Sequence, residues 1–136
     1  MAQSNYAKYL ETEVFSADPI QLVCLLYGGA IDATAAARRH LKAREIRERG
    51  RQIMRAIEIV RELTRSLDPQ FEMSRSLHDL YVYMQSRLIE ANVRQTDEPL
   101  AEVEKLLATL QEGWKAVIPA VPEVSSETHQ PVSCSA

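Results

Sequence analysis

The three histidines are the first residues to examine for chemistry, because histidine serves as a metal ligand and as a general acid or base near neutral pH. A carboxylate-bridged metal site in a helical bundle needs a glutamate three residues before a histidine. The residues at that spacing before His40, His78 and His129 are alanine, arginine and serine. His78 stands beside Asp79, but neighbouring residues on a helix point in different directions. These residues predict no metal, no cofactor and no catalytic site.

The glycine pair Gly28–Gly29 could suggest a phosphate-binding loop, but no strand precedes it and no further glycine follows at the required distance. The run before the pair is apolar and the stretch after it, 30–37, is rich in alanine. The three- and four-residue steps of the apolar positions continue through the pair without a phase shift. We therefore predict one continuous helix with Gly29 on the inward side. Because neither the histidines nor the glycine pair forms a catalytic motif, we also predict that the protein is not an enzyme.

Charge is unevenly distributed along the chain, although the formal net charge is only -3. Residues 38–65 hold ten Lys or Arg and four Glu, whereas seven Asp or Glu and two Lys follow from position 97. The basic stripe consists of Arg38, Arg39, Lys42, Arg44, Arg47, Arg51, Arg55, Arg61 and Arg65. Glutamates interleave with these residues at helical pairing distance, and no aromatic residue between 41 and 67 could stack on a base. Both observations favour a solvated helix face that does not bind nucleic acid. A nucleic-acid-binding or regulatory bundle that uses the Arg-rich second helix stays open as the alternative, as does a self-assembling structural bundle.

Prolines and apolar periodicity divide the chain into four helical segments and predict an all-α, antiparallel up-down four-helix bundle. The first helix should begin at the Asp18 cap and end near position 43. The second should cover about 45–67, the third about 73–93, and the fourth should follow Thr96-Asp97 and end before Pro119. Residues 1–17 are predicted to be an amino-terminal arm, either a short helix or an extended segment, that packs on the bundle domain at 18–118. Residues 119–136 are predicted to be a disordered tail.

The longest apolar run has six residues and no signal pattern precedes it, so we expect a cytoplasmic protein without membrane insertion. Apolar surface exceeds what four helices can cover. Helix one is apolar or small over most of its circumference, and helix three carries Tyr83 and Ile89 off its main seam. Surplus apolar surface on a small bundle is typical of a partner-binding protein, often one that takes an amphipathic helix in a groove.

Four stretches, in order over residues 6–118, resemble the family of FliS-type flagellin chaperones. They are "YAKYLETEVFSADPIQLVCLLYGGAI", "LTRSLD", "SLHDLYVYMQSRLIEANV" and "LLATLQEGWKAV". The more specific parts are the tyrosine–glycine stretch of helix one and the segment from Leu88 to Asn92. The chain departs from the family at Gly28, where members commonly carry Asp or Asn.

The resemblance implies a cytoplasmic four-helix chaperone that binds the disordered carboxy-terminal segment of flagellin. The bound segment becomes largely helical and wraps around the bundle. This binding prevents premature polymerisation and keeps the subunit available to the flagellar type III secretion apparatus. The export gate and flagellar regulators are further partners that the resemblance suggests, and it leaves monomer and dimer open.

A client-binding groove is predicted on the first three helices. Its residues are Leu22, Leu25, Leu26, Tyr27, Ile57, Tyr81, Met84 and Leu88. The alternative for each of them is a plain core residue. By analogy with the family, Tyr6 and Tyr9 are the anchors of an arm that occupies part of the groove. Asn92 is expected to cap the end of helix three rather than to contact the client.

Overall fold

The structure, a computed structural model, describes residues 19–117. It contains α1 (Pro19–Lys42), α2 (Ile46–Arg65), α3 (Met73–Arg94) and α4 (Glu98–Val117). The all-α fold is confirmed, and the helix bounds agree with the sequence-based expectations to within two residues. The predicted arm with Tyr6 and Tyr9, the Asp18 cap and the tail at 119–136 lie outside the described residues.

The four helices form an antiparallel ring in which α1 packs against α2 and α4, and α3 packs against the same two helices. Side-chain contacts fix the directions. Arg38 near the end of α1 binds Asp97 just before α4, whereas Trp114 near the end of α4 contacts Tyr27 near the start of α1. The connections between consecutive helices have three to seven residues. Connections this short join antiparallel neighbours, so the sequential up-down topology follows from their length.

One apolar core lies along the axis of the bundle. Each helix contributes residues three or four positions apart, as expected for an amphipathic helix that faces a common centre. Burial is most complete for large side chains from all four helices. They include Leu26, Tyr27, Ile53, Val60, Leu63, Tyr81, Met84, Leu88, Leu100, Val103 and Leu107.

Backbone turns define both short connections. Between α1 and α2, Arg44 adopts a left-handed conformation with φ 61°, and the Glu45 amide donates to the His40 carbonyl at 2.9 Å. At the end of α3, Gln95 is left-handed with φ 57° and its amide donates to the Ala91 carbonyl. Left-handed residues stop helices because they redirect the next amides to the last free carbonyls.

Helix α1 runs without interruption through Gly28 and Gly29, both of which are half-buried. By length and composition alone α1 could cross a membrane, although 44% of its most apolar 18-residue window is buried inside the protein. The core helix of a soluble bundle has the same properties, and here α1 packs along α2 and α4.

Candidate binding surface

Seven of the eight residues predicted to line the groove are buried in the core. Leu22 alone is half-buried. The seven lie on the inward faces of α1, α2 and α3. The row of apolar residues that periodicity identifies on each helix is the row that packs against the other helices. The alternative of a plain core residue therefore describes their position in the described bundle.

Two of those residues, Tyr27 and Tyr81, form a buried polar cluster with Trp114. The tyrosine hydroxyls are hydrogen-bonded to each other, and Trp114 Nε1 donates to the Tyr27 oxygen at 3.2 Å. Burial raises the pKa of Tyr27 and that of Tyr81, so both phenols are neutral at physiological pH. The cluster joins α1, α3 and α4, and it gives both buried tyrosine hydroxyls a hydrogen-bond partner.

Exposed apolar side chains lie instead along the seam between α2 and α3. They are between 49% and 73% exposed, and we call them the α2–α3 apolar stripe: Ile46, Met54, Val82, Ile89 and Val93. Ile46 and Met54 lie one turn to either side of Gly50 on α2, and a side-chain carbon added to Gly50 would be 3.9 Å from Asn92 Oδ1 on α3. Ile89 and Val93 flank Asn92. Both rows therefore border the same seam, which makes the stripe a candidate binding surface.

The opposite side of α3 faces α4 and is closed by polar contacts, which we call the Arg87 cluster: Tyr83, Arg87, Glu90, Glu98 and Glu102. Arg87 Nε binds Glu102 at 2.6 Å and Arg87 Nη1 binds Glu90 at 2.9 Å. The Tyr83 hydroxyl donates to Glu102 at 2.8 Å. This hydrogen bond and the Arg87 guanidinium lower the pKa of Glu102, so that carboxylate is ionised at neutral pH.

Asn92 joins two helices instead of ending one. It lies inside α3, the left-handed position at the helix end belongs to Gln95, and Asn92 Oδ1 accepts a hydrogen bond from Arg49 Nε at 3.1 Å. Arg49 is only 5% exposed. The expected capping role thus passes to Gln95, because Asn92 faces α2 and not the free carbonyls of its own helix. We call the group at this end of the stripe the terminal notch: Ile46, Arg49, Gly50, Asn92 and Val93.

The outer face of α2 carries ion pairs within the helix. Arg51 lies 3.8 Å from Glu48, Arg61 lies 4.0 Å from Glu58, and Arg65 lies 2.7 Å from Glu62. All these side chains are exposed, which is typical of a solvated helix face and worth little to stability. Within residues 19–117, no group of three or more His, Cys, Asp or Glu is placed to hold a metal ion.

Comparison with known proteins identifies the bundle. The sequence profile of the family described as flagellar protein FliS matches residues 1–121, nearly the whole chain. The chain belongs to the FliS family.

Individual relatives support the FliS assignment. The chain is 36% identical over 113 residues to the flagellar secretion chaperone FliS of Salmonella typhimurium, with 81% of this chain and 84% of the relative covered. It is 36% identical over 110 residues to the flagellar secretion chaperone FliSB of Pseudomonas aeruginosa, covering 79% and 87%. It is 29% identical over 116 residues to the Bacillus subtilis FliS, covering 85% and 87%. All three are named chaperones.

Sequence reasoning found the FliS family, but seven of the residues it selected for the groove are buried, and it named only part of the exposed apolar surface. Tyr83 and Ile89, noted as lying off the main seam of α3, are indeed 43% and 52% exposed. Most other residues of the stripe could have been found in the same way, as apolar residues outside the inward-facing row of their helix. Val82 and Val93 stand at helical spacing from Ile89, outside the inward seam, and Met54 occupies the same kind of position on α2. Ile46 lies on the inward seam, seven residues before the buried Ile53, and is exposed because it is the first residue of α2.

Proposed function

We propose that this FliS-family chain is a cytoplasmic chaperone for flagellin. It would bind the disordered carboxy-terminal segment of the client, prevent premature polymerisation and keep the subunit competent for export through the flagellar type III apparatus. Family membership and the relatives' names support the chaperone role. The observation that carries the binding role is the exposed α2–α3 apolar stripe, whose side chains do not belong to the buried core.

The stripe suits a segment that folds as it binds. A disordered client loses conformational entropy on ordering, so a large apolar contact must offset that cost. If the client forms a helix, its residues three and four positions apart would place a row of apolar side chains along the seam between α2 and α3. The client we propose is therefore an amphipathic segment that becomes helical on the chaperone.

The residues of the sequence-predicted groove take a supporting role in this proposal. Leu22 is half-buried and could contact a client directly. The seven buried residues hold α1, α2 and α3 in the arrangement that forms the seam. Tyr6 and Tyr9 stay predicted anchors of an arm that competes with the client for part of the surface.

The decisive measurement mixes the full chain with a peptide of the carboxy-terminal segment of flagellin from the same organism. We expect micromolar or tighter binding by calorimetry and a gain in helical circular dichroism beyond the sum of the two components. A scrambled peptide of the same composition is the control. The proposal fails if the authentic peptide binds no better than the scrambled one, or if it binds without any gain in helicity.

A further inference from the structure

We infer that the terminal notch is a carboxylate-binding subsite that receives the chain-terminal carboxylate of the client segment. The inference rests on the proposed function, since it names a contact made by the same client. It concerns a residue that apolar periodicity would never select, the buried arginine at the end of the stripe.

Arg49 is a buried cation whose described partner is neutral. The residue is 5% exposed, and its Nε donates to Asn92 Oδ1 at 3.1 Å. The ion pairs of Arg51, Arg61 and Arg65 on α2 are made with Glu48, Glu58 and Glu62, and none of these three carboxylates pairs with Arg49. Burying a guanidinium without an anion is unfavourable. Its two terminal nitrogens present the planar fork that binds a carboxylate through two parallel hydrogen bonds.

The rim of the notch is exposed around the buried Arg49. Gly50 has no side chain, and a carbon added there would meet Asn92 Oδ1 at 3.9 Å, an ordinary contact distance. Ile46 and Val93 on either side are 62% and 73% exposed. Because Asn92 uses its oxygen to accept from Arg49, its amide nitrogen is a further donor beside the guanidinium. The notch thus combines two kinds of hydrogen-bond donor with an apolar rim.

A chain terminus is the occupant that matches this arrangement. The proposed client segment is the end of its protein, so it carries one carboxylate whatever its side chains are. The stripe runs out at the notch, where α2 begins and α3 ends, so a segment lying along the stripe could place its last residue there. A second copy of this chain is disfavoured, because its own arginines would approach Arg47 and Arg49 with the same charge.

The experiment compares two forms of the flagellin carboxy-terminal peptide, one with a free terminal acid and one with a terminal amide, binding to the full wild-type chain at pH 7. The amide removes the charge without changing any side chain. Loss of a charge-assisted hydrogen-bonded pair should weaken binding about 10-fold, which corresponds to about 1.4 kcal/mol.

Variants assign the effect to Arg49. In Arg49→Gln the difference between acid and amide should vanish, and Arg49→Lys should keep only part of it because an ammonium cannot form the two parallel bonds. Arg47→Gln is the matched control, since it removes a neighbouring exposed charge and should leave the full difference. Should Arg49→Gln fail to fold, the Arg49 Nε–H resonance of the wild type supplies the assignment. It should shift with the acid peptide and not with the amide.

The possible failures are distinct. Equal binding of acid and amide to the wild type overturns the notch assignment and leaves the proposed function intact. A difference that persists in folded Arg49→Gln, or an unmoved Arg49 resonance, also overturns it and shows that another group reads the terminus. An acidic side chain of the peptide as the true occupant would give equal acid and amide affinities that both fall in Arg49→Gln. Binding of neither peptide would contradict the proposed function itself.

Discussion

The two sides of helix α3 differ sharply. Toward α4, Tyr83 and Arg87 both donate hydrogen bonds to Glu102, at 2.8 and 2.6 Å, so the hydroxyl of an exposed tyrosine is held by α4. Toward α2, Val82, Ile89 and Val93 expose about half or more of their side-chain surface, and the nearby buried cation Arg49 has a neutral partner. One helix thus has a side whose polar groups are paired within the chain and a side that offers apolar surface and hydrogen-bond donors.

The polar groups on the α4-facing side of α3 hold the bundle together, whereas the apolar groups on the α2-facing side can contact a partner. Side chains exposed in the folded chain contribute little to its stability, because folding removes little of their surface from water. A single exposed valine or isoleucine is common on protein surfaces, but rows on two adjacent helices beside one seam form a patch. Substitutions on the two sides of α3, and in the core between them, should therefore separate stability from client binding.

The largest effect should come from the core beneath both sides. Leu88→Ala removes a fully buried side chain and should lower the free energy of unfolding by about 2–5 kcal/mol, measured by denaturant titration. The affinity of the folded fraction for the flagellin peptide should stay within about 2-fold of the wild type. If the peptide binds much more weakly while the protein still melts cooperatively, Leu88 contacts the client and the groove predicted from sequence is correct.

On the α2-facing side, Ile89→Asp should weaken peptide binding and leave the stability of the protein nearly unchanged. It places a charge in the middle of the stripe, so calorimetry should show peptide affinity falling about 10-fold or more. The melting temperature should change little, because the side chain is 52% exposed. Phe71→Asp is the matched control: Phe71 is 64% exposed but lies in the connection between α2 and α3. Equal losses in both variants would mean that exposure alone, and not the stripe, governs binding.

A smaller, pH-dependent effect is expected on the α4-facing side. The folded-state pKa of Glu102 lies below its ordinary value of 4.5, so its ionised form stabilises the fold above that pH and loses its contribution as pH falls through the lowered pKa. Glu102→Gln should therefore lower the melting temperature by about 2 °C at pH 7, with unchanged peptide affinity. The gap between variant and wild type should close as the pH falls below 4.5 and through the lowered pKa. A gap that keeps its size throughout the acidic range would show that the Glu102 charge is not responsible.

The smallest effect concerns the end shared by both sides. Gln95 adopts φ 57°, which costs a residue with a side chain more than it costs glycine. Gln95→Gly should raise the free energy of unfolding by about 0.5 kcal/mol, while Arg94→Gly, one residue earlier in the regular helix, should lower it by about 1 kcal/mol. Peptide affinity should be the same in both. Destabilisation by Gln95→Gly would mean that the α3 end is held by the glutamine side chain.

Much of the fold could be predicted from the sequence because helix signals are local. Proline positions and three- and four-residue apolar steps place each helix to within two residues, and they carry α1 through Gly28 and Gly29. The candidate site could be predicted only in part. Periodicity marked Leu26, Met84 and Leu88 as apolar and aligned, which is equally true of a groove and of a core. Tyr83 and Ile89 were distinguishable because they fall outside that alignment.

By itself, the sequence determined the all-α bundle, its helix order and its membership of the FliS family, since these depend on periodicity, breakers and residue identity. Only the tertiary structure decided which apolar face is covered, because coverage depends on the neighbouring helix and not on the spacing within one. It buried the predicted groove residues, left the stripe between α2 and α3 open, and carried Asn92 to a buried arginine 43 positions earlier in the chain. Contacts between residues that far apart exist only once the helices have packed.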